Sequence, residues 1–113
     1  LPVAQGIQHP AYDVVRELLE RGRAWVKLSC AYLNTALPAE QGYADVQDIA
    51  RAWIDLAPDR MVWGSDWPHV TETLHKPDDS ALLDLLHDWV GSPALFQQVM
   101  VDNPARLYGF ETP

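Results

Sequence analysis

One carboxylate stands out for chemistry. Asp66 lies in the run Arg60-Met61-Val62-Trp63-Gly64-Ser65-Asp66-Trp67-Pro68-His69. Met61, Val62 and Trp63 are consecutive apolar residues, the pattern of a short strand buried on both faces. Gly64 frees the backbone after it, and Pro68 cannot donate to a sheet ladder. Asp66 is therefore expected just past the C-terminal end of a strand, where parallel α/β folds build their sites. Between Trp63 and Trp67, a partly desolvated carboxylate would have a raised pKa and suit a general base. An Asp beside Gly, Ser and Pro also fits a plain turn residue.

The neighbouring candidates each carry two readings. His69 suits substrate contact or orientation of a water, and suits an exposed loop equally well. Tyr32, in the loop after an earlier strand, can hydrogen-bond a substrate or simply pack. Ser65 reads as a turn residue, because the run is not a Gly-x-Ser-x-Gly elbow and no histidine in it is placed to activate the hydroxyl. Lys27 is buried by pattern and so expected to be ion-paired or to snorkel to a strand end. Cys30 reads as a small buried residue. Trp25, Trp53 and Trp89 read as core.

The elements that must position these residues follow from periodicity. Residues 1–9 read as a loop. A helix is predicted from Pro10, a residue favoured in the first turn, to a stop at Gly22. Its apolar stripe is Val14, Val15, Leu18 and Leu19. Ala24–Ser29 reads as a strand, interrupted by Lys27. Residues 30–42 read as a long loop, a length often tied to function. A second helix is predicted over 43–56, with Val46, Ile49, Ala50, Trp53 and Ile54 on one face and Pro58-Asp59 beyond its end. After the strand Met61–Trp63 comes a loop over 67–78. Asp78 or Asp79 then caps a helix running to about Val90, with Leu82, Leu83, Leu86, Trp89 and Val90 inward. Gly91-Ser92-Pro93 ends it and starts another, lined by Phe96, Val99 and Met100. Asn103-Pro104 is expected to break that helix, leaving a short helical turn over 104–108.

Strands alternating with helices imply an α/β fold with parallel strands. Two such strands do not make an independent sheet, and helices cover only one of its faces. The expectation is an incomplete barrel: residues 1–113 as βα units of something larger, or a chain that self-associates through its open sheet faces. That it begins with Leu1 fits a processed chain or a piece of a longer one.

Composition excludes several partners. Asp and Glu outnumber Lys and Arg by 16 to 8 in 113 residues, a net charge of -8. Such a surface is unsuited to nucleic acid or an anionic membrane and is compatible with a small-molecule substrate. The first residues lack the charged start of a signal peptide. The single cysteine, Cys30, cannot form an internal disulfide, so a cytoplasmic location is expected.

Three stretches in this order resemble the amidohydrolase superfamily, in the subgroup that includes 2-pyrone-4,6-dicarboxylate lactonase. They are Trp25-Val26-Lys27-Leu28-Ser29, Arg60–His69, and Asp102-Asn103-Pro104-Ala105-Arg106-Leu107-Tyr108. The resemblance runs from about residue 3 to Phe110. It implies the C-terminal part of a distorted (β/α)8 TIM-type barrel, with Asp66 at the end of the last strand. There the family's aspartate is a metal ligand, the proton acceptor for the attacking water, or both. In the pyrone-dicarboxylate lactonases the resemblance implies a base without a metal, and it leaves a divalent metal such as zinc open for the complete barrel. The family's His-x-His pair has no counterpart among His9, His69, His75 and His87, and its middle-strand histidine would fall just before Leu1. Leu33 stands where the lactonases carry a carboxylate-binding arginine, which points away from a dicarboxylated pyrone and toward a less anionic lactone.

Two functions follow. One is part of a hydrolase of lactones or related cyclic carbonyl compounds, with Asp66 as base and Tyr32 and His69 at the substrate; the chain alone would be inactive. The other is a non-catalytic remnant acting as a structural or interaction module through its open apolar faces.

Overall fold

The computed structural model describes residues 3–38 and 41–111. Leu1 and Pro2 of the expected first loop, and Ala39 and Glu40 of the expected loop 30–42, lie outside the described residues. The order is α1 (Pro10–Glu20), β1 (Val26–Leu28), α2 (Ala31–Asn34), α3 (Gln47–Leu56), β2 (Met61–Trp63), α4 (Asp79–Val90), α5 (Pro93–Gln97) and α6 (Asn103–Tyr108). The two strands are parallel, with Val26 opposite Met61, Lys27 opposite Val62 and Leu28 opposite Trp63.

The two faces of the sheet differ in what covers them. Leu28 and Met61 belong to the helix-packed core, and Val26 and Trp63 pack against it. These four alternate along the strands and share a face. Trp53, Ile54, Leu86, Trp89 and Val99 fill the space behind them from α3, α4 and the C-terminal helical segment. Lys27 and Val62 are paired on the other face. Val62 is buried but stands outside that core cluster. Lys27 is exposed, with no ion pair among the described residues, and its stem crosses Gly64, where an added Cβ would lie 2.3 Å from Cε. The expected burial of Lys27 is thus corrected: its strand has helices on one side only, and the ammonium stays in water.

Several other expectations change. On α1 only Leu19 is fully buried; Val14 is 61% and Leu18 42% exposed, because the helix meets the core along one narrow edge. Gly6–Gln8 forms a 3-10 turn within the expected first loop, and Ala31–Asn34 forms one helical turn within the expected loop 30–42. Trp25 is half-buried, not core, with the Arg106 guanidinium 5.1 Å over its ring.

Asn103-Pro104 does not break the helix. Gln98–Asp102 widens into a π-turn that passes directly into α6. A wider turn relieves the missing N–H and the ring clash that proline brings to a regular helix. It also turns Asn103 inward, where the side chain is 1% exposed. Asn103 Nδ2 donates to the carbonyls of Pro58 and Met61, each at 2.7 Å. Arg106 donates to the Asp59 carbonyl and Arg60 to the Leu19 carbonyl. The segment leading into β2 is thereby clamped from two sides. Among the described residues no helix is long and apolar enough to cross a membrane.

Candidate active site

Asp66 stands three residues beyond β2, and the turn that holds it is strained. Asp66 has φ 64°, His69 φ 57° and Cys30 φ 61°, so three non-glycine residues at one mouth adopt left-handed backbone. Such conformations cost free energy and persist where the surroundings fix them, often at functional sites. The His69 N–H donates to the Asp66 carbonyl at 2.8 Å, closing the turn. Ser65 Oγ accepts from the Trp67 N–H at 3.2 Å, the turn role read from its surroundings. Lys76 Nζ donates to the carbonyls of Pro68 at 2.6 Å and His69 at 3.3 Å, tying down the far side of the loop.

The fold brings Asp66, Tyr32 and His69 together. The short α2 after β1 carries Tyr32 across to β2, where its hydroxyl donates to Asp66 Oδ2 at 2.6 Å. His69 meets Tyr32 edge-on, with ring centroids 5.2 Å apart and planes at 88°. Its Nε2 donates to Asp79 Oδ1 at 2.9 Å. His69 is 2% exposed, which corrects the exposed-loop reading: the turn folds the ring beneath the loop, against Tyr32. Asp79 is the first residue of α4; of the two acids expected as alternative caps, Asp78 takes that role through the Ser80 N–H at 2.8 Å. The signal for Asp79 was two adjacent acids at a helix start where one suffices.

The electrostatics reverse one expectation. Asp66 is held below the usual carboxylate range, not raised. The Tyr32 hydrogen bond is the largest cause, followed by the Cys30 thiol; the desolvation that pushes upward is smaller, and the nearby His69 and Lys27 add to the lowering. Trp67 is 74% exposed and does not desolvate the carboxylate. Tyr32 is pushed up to about 12, chiefly by burial and then by Asp66, so its hydroxyl stays protonated and donates. Cys30 is half-buried, and burial raises its thiol as well. Leu33 lies on α2 and is 49% exposed.

Among the described residues no group of three or more His, Cys, Asp or Glu side chains could hold a metal ion. One oxygen of Asp66 is already taken by Tyr32 and His69 Nε2 by Asp79, so these residues do not by themselves make a metal centre.

A family model described as amidohydrolase matches residues 1–110. The chain belongs to the amidohydrolase family. Amidohydrolases often use a divalent metal. The chain is 36% identical over 107 residues to a 4-sulfomuconolactone hydrolase of Hydrogenophaga intermedia, covering 93% of this chain and 35% of that protein. It is 35% identical over 113 residues to a 2-pyrone-4,6-dicarbaxylate hydrolase of Comamonas testosteroni, covering 94% and 37%. It is also 35% identical over 101 residues to a D-galactarolactone isomerase of Agrobacterium fabrum, covering 88% and 34%. An apo crystal structure from Agrobacterium tumefaciens superposes with a TM-score of 0.80 at 32% identity, over 93% of this amidohydrolase chain and 37% of that one. A Pseudomonas putida structure, described as a candidate 2-pyrone-4,6-dicarboxylic acid hydrolase, gives 0.77 at 27% identity over 99% and 41%. The chain thus spans about a third of the length of the curated relatives it matches. The family and these neighbours suggest a TIM-barrel-type fold, and the described residues form a small mixed α/β structure.

Proposed function

We propose that this chain supplies the C-terminal βα units of a (β/α)8-type barrel in a hydrolase of lactones or related cyclic carbonyl compounds, with Asp66 as general base. Water attacks the ring carbonyl and Asp66 accepts a proton from it; as the ring C–O bond breaks, that proton passes to the leaving ring oxygen, giving a hydroxyl and a carboxylic acid that ionises to the carboxylate. The observation that carries this is the Tyr32–Asp66 contact of 2.6 Å at the C-terminal end of the strands. It leaves Asp66 ionised at neutral pH, with the oxygen that Tyr32 does not engage turned to the water. A depressed pKa makes a ready but weak base, so oxyanion stabilisation from donors outside this chain carries more of the barrier. Tyr32 faces the substrate beside Asp66, and His69 stands one ring behind it.

The substrate class rests on the relatives, three of which are named for a sulfomuconolactone, a pyrone dicarboxylate and a galactarolactone. Leu33 offers no cation where an arginine was sought, which favours a lactone with fewer negative charges. The open face and edges of the sheet would be covered by the remaining strands of a barrel or by another copy of the chain. The non-catalytic reading gains no support from these relatives, each named as a hydrolase or an isomerase.

The test is Asp66→Asn in the protein at its native length, assayed on a panel of lactones in ¹⁸O-labelled water. The wild type should incorporate label into the opened acid, and the variant should lose on the order of 10³ in kcat. Turnover near normal in the variant rules out the base, and product without label indicates isomerisation instead.

A further inference from the structure

We propose that Asp79 and His69 form a positioning pair, which holds the Tyr32 phenol against Asp66 and so fixes the carboxylate for its water. This rests on Asp66 being the base. The contacts run in one line. Asp79 Oδ1 accepts from His69 Nε2 at 2.9 Å, the His69 ring meets Tyr32 edge-on at 5.2 Å, and Tyr32 donates to Asp66 Oδ2 at 2.6 Å.

Three observations point to positioning rather than to packing or direct substrate contact. His69 is 2% exposed, so the folded chain leaves almost none of it for a substrate to touch. Its Nδ1 is buried without a partner among the described residues, so Asp79 supplies the one side-chain hydrogen bond that sets the ring's rotation. A ring kept only for packing would be better apolar, because a buried imidazole nitrogen without a partner destabilises the fold. Finally, the backbone at His69 is left-handed and stapled by Lys76, which fixes where the ring starts as well as where it points.

The carboxylate of Asp79 only accepts, so the pair selects the tautomer with the proton on Nε2. An imidazole fixed in this way meets the Tyr32 ring at one angle. The phenol then has one direction for its hydrogen, and that direction is Asp66. Without the pair, Tyr32 can swing toward solvent and Asp66 loses the donor that orients it.

The test uses the protein at its native length with two readouts. The proton shared by Tyr32 and Asp66 should give a resolved downfield resonance in proton NMR, assigned by its loss in Tyr32→Phe. In Asp79→Ala it should broaden into solvent exchange, with kcat down about tenfold and KM changed less than twofold. Asp79→Asn, whose amide oxygen still accepts from Nε2, should recover most of both. Asp79 lies at the loop edge, with its side chain 44% exposed, so the alanine variant opens no cavity and should fold. His69→Ala should match Asp79→Ala or exceed it. An unchanged resonance in Asp79→Ala overturns the proposal, whatever the activity. If the resonance is lost but Asp66→Asn keeps its turnover, the base assignment has failed while the positioning contact itself stands.

Discussion

Among the described residues two polar side chains are buried, Asn103 and His69, which stand at opposite ends of β2 and are treated differently. At the strand's start, Asn103 is 1% exposed and gives both amide hydrogens to backbone carbonyls. At the strand's far end, His69 is 2% exposed, uses one nitrogen on Asp79 and leaves the other without a partner. The first spends its whole amide NH2 as a clasp on the backbone and serves stability. The second retains an unmet hydrogen-bonding group beside strained backbone, which serves the placement of Tyr32 and Asp66. In barrel folds the N-terminal end of the strands is associated with stability and the C-terminal end with chemistry, and these two side chains follow that division.

The comparison can be broken from either end. Asn103→Ala strips two buried carbonyls of their donor and should lower stability by about 3 kcal/mol. Urea denaturation measures this, and kcat at low temperature should hardly move; a loss of activity larger than the loss of folded protein would merge the two ends. Asp79→Ala should show the converse, with stability lowered by only about 1 kcal/mol for one hydrogen bond lost at the loop edge. A smaller effect comes from pH. Tyr32 is raised to about 12, so the stabilisation from keeping its phenol neutral is present below its ordinary pKa of 10.0 and fades as pH rises through about 12. Asp66 is lowered, so its contribution is present above the ordinary carboxylate range and fades as pH falls through its folded value. Tyr32→Phe should flatten both limbs of the stability curve at once, because one hydrogen bond links the two groups; limbs parallel to wild type would separate them. The smallest effect is expected from Gly64→Ala. The new methyl would meet Lys27 Cε at 2.3 Å, but that stem is exposed and can swing away, at a cost under ~0.5 kcal/mol. A loss of several kcal/mol would mean that the Lys27 stem is a rigid cover for Val62.

Local signals were legible in the sequence where one residue decides the outcome. The apolar triplet gave β2 its observed bounds, Met61–Trp63. Pro10, Gly22, Asp78, Ser92 and Gly91 mark helix ends as their side chains or backbone freedom require. Tyr32 and Asp66 were both candidates, yet nothing local reveals a hydrogen bond between residues 34 positions apart. For the same reason the pKa of Asp66 was misjudged: flanking tryptophans suggest desolvation, while the deciding donor comes from another element. Lys27 and Val14 were expected inside because periodicity reports which side chains share a face, not whether that face is covered. The helix break expected at Pro104 failed because a π-turn upstream absorbs the proline, a remedy that leaves no compositional mark.

The Asn103 clasp also bears on the order in which the chain acquires structure. The donor that completes the first residue of β2 comes from 42 positions later. A nascent chain that has released Met61–Trp63 but not yet α6 holds a strand whose lead-in carbonyls have only water to bond. Closure across that separation is a late, entropically costly event. The strand that carries the candidate base sits mid-sequence, yet it is fastened only when the C-terminal helical segment arrives to hold it.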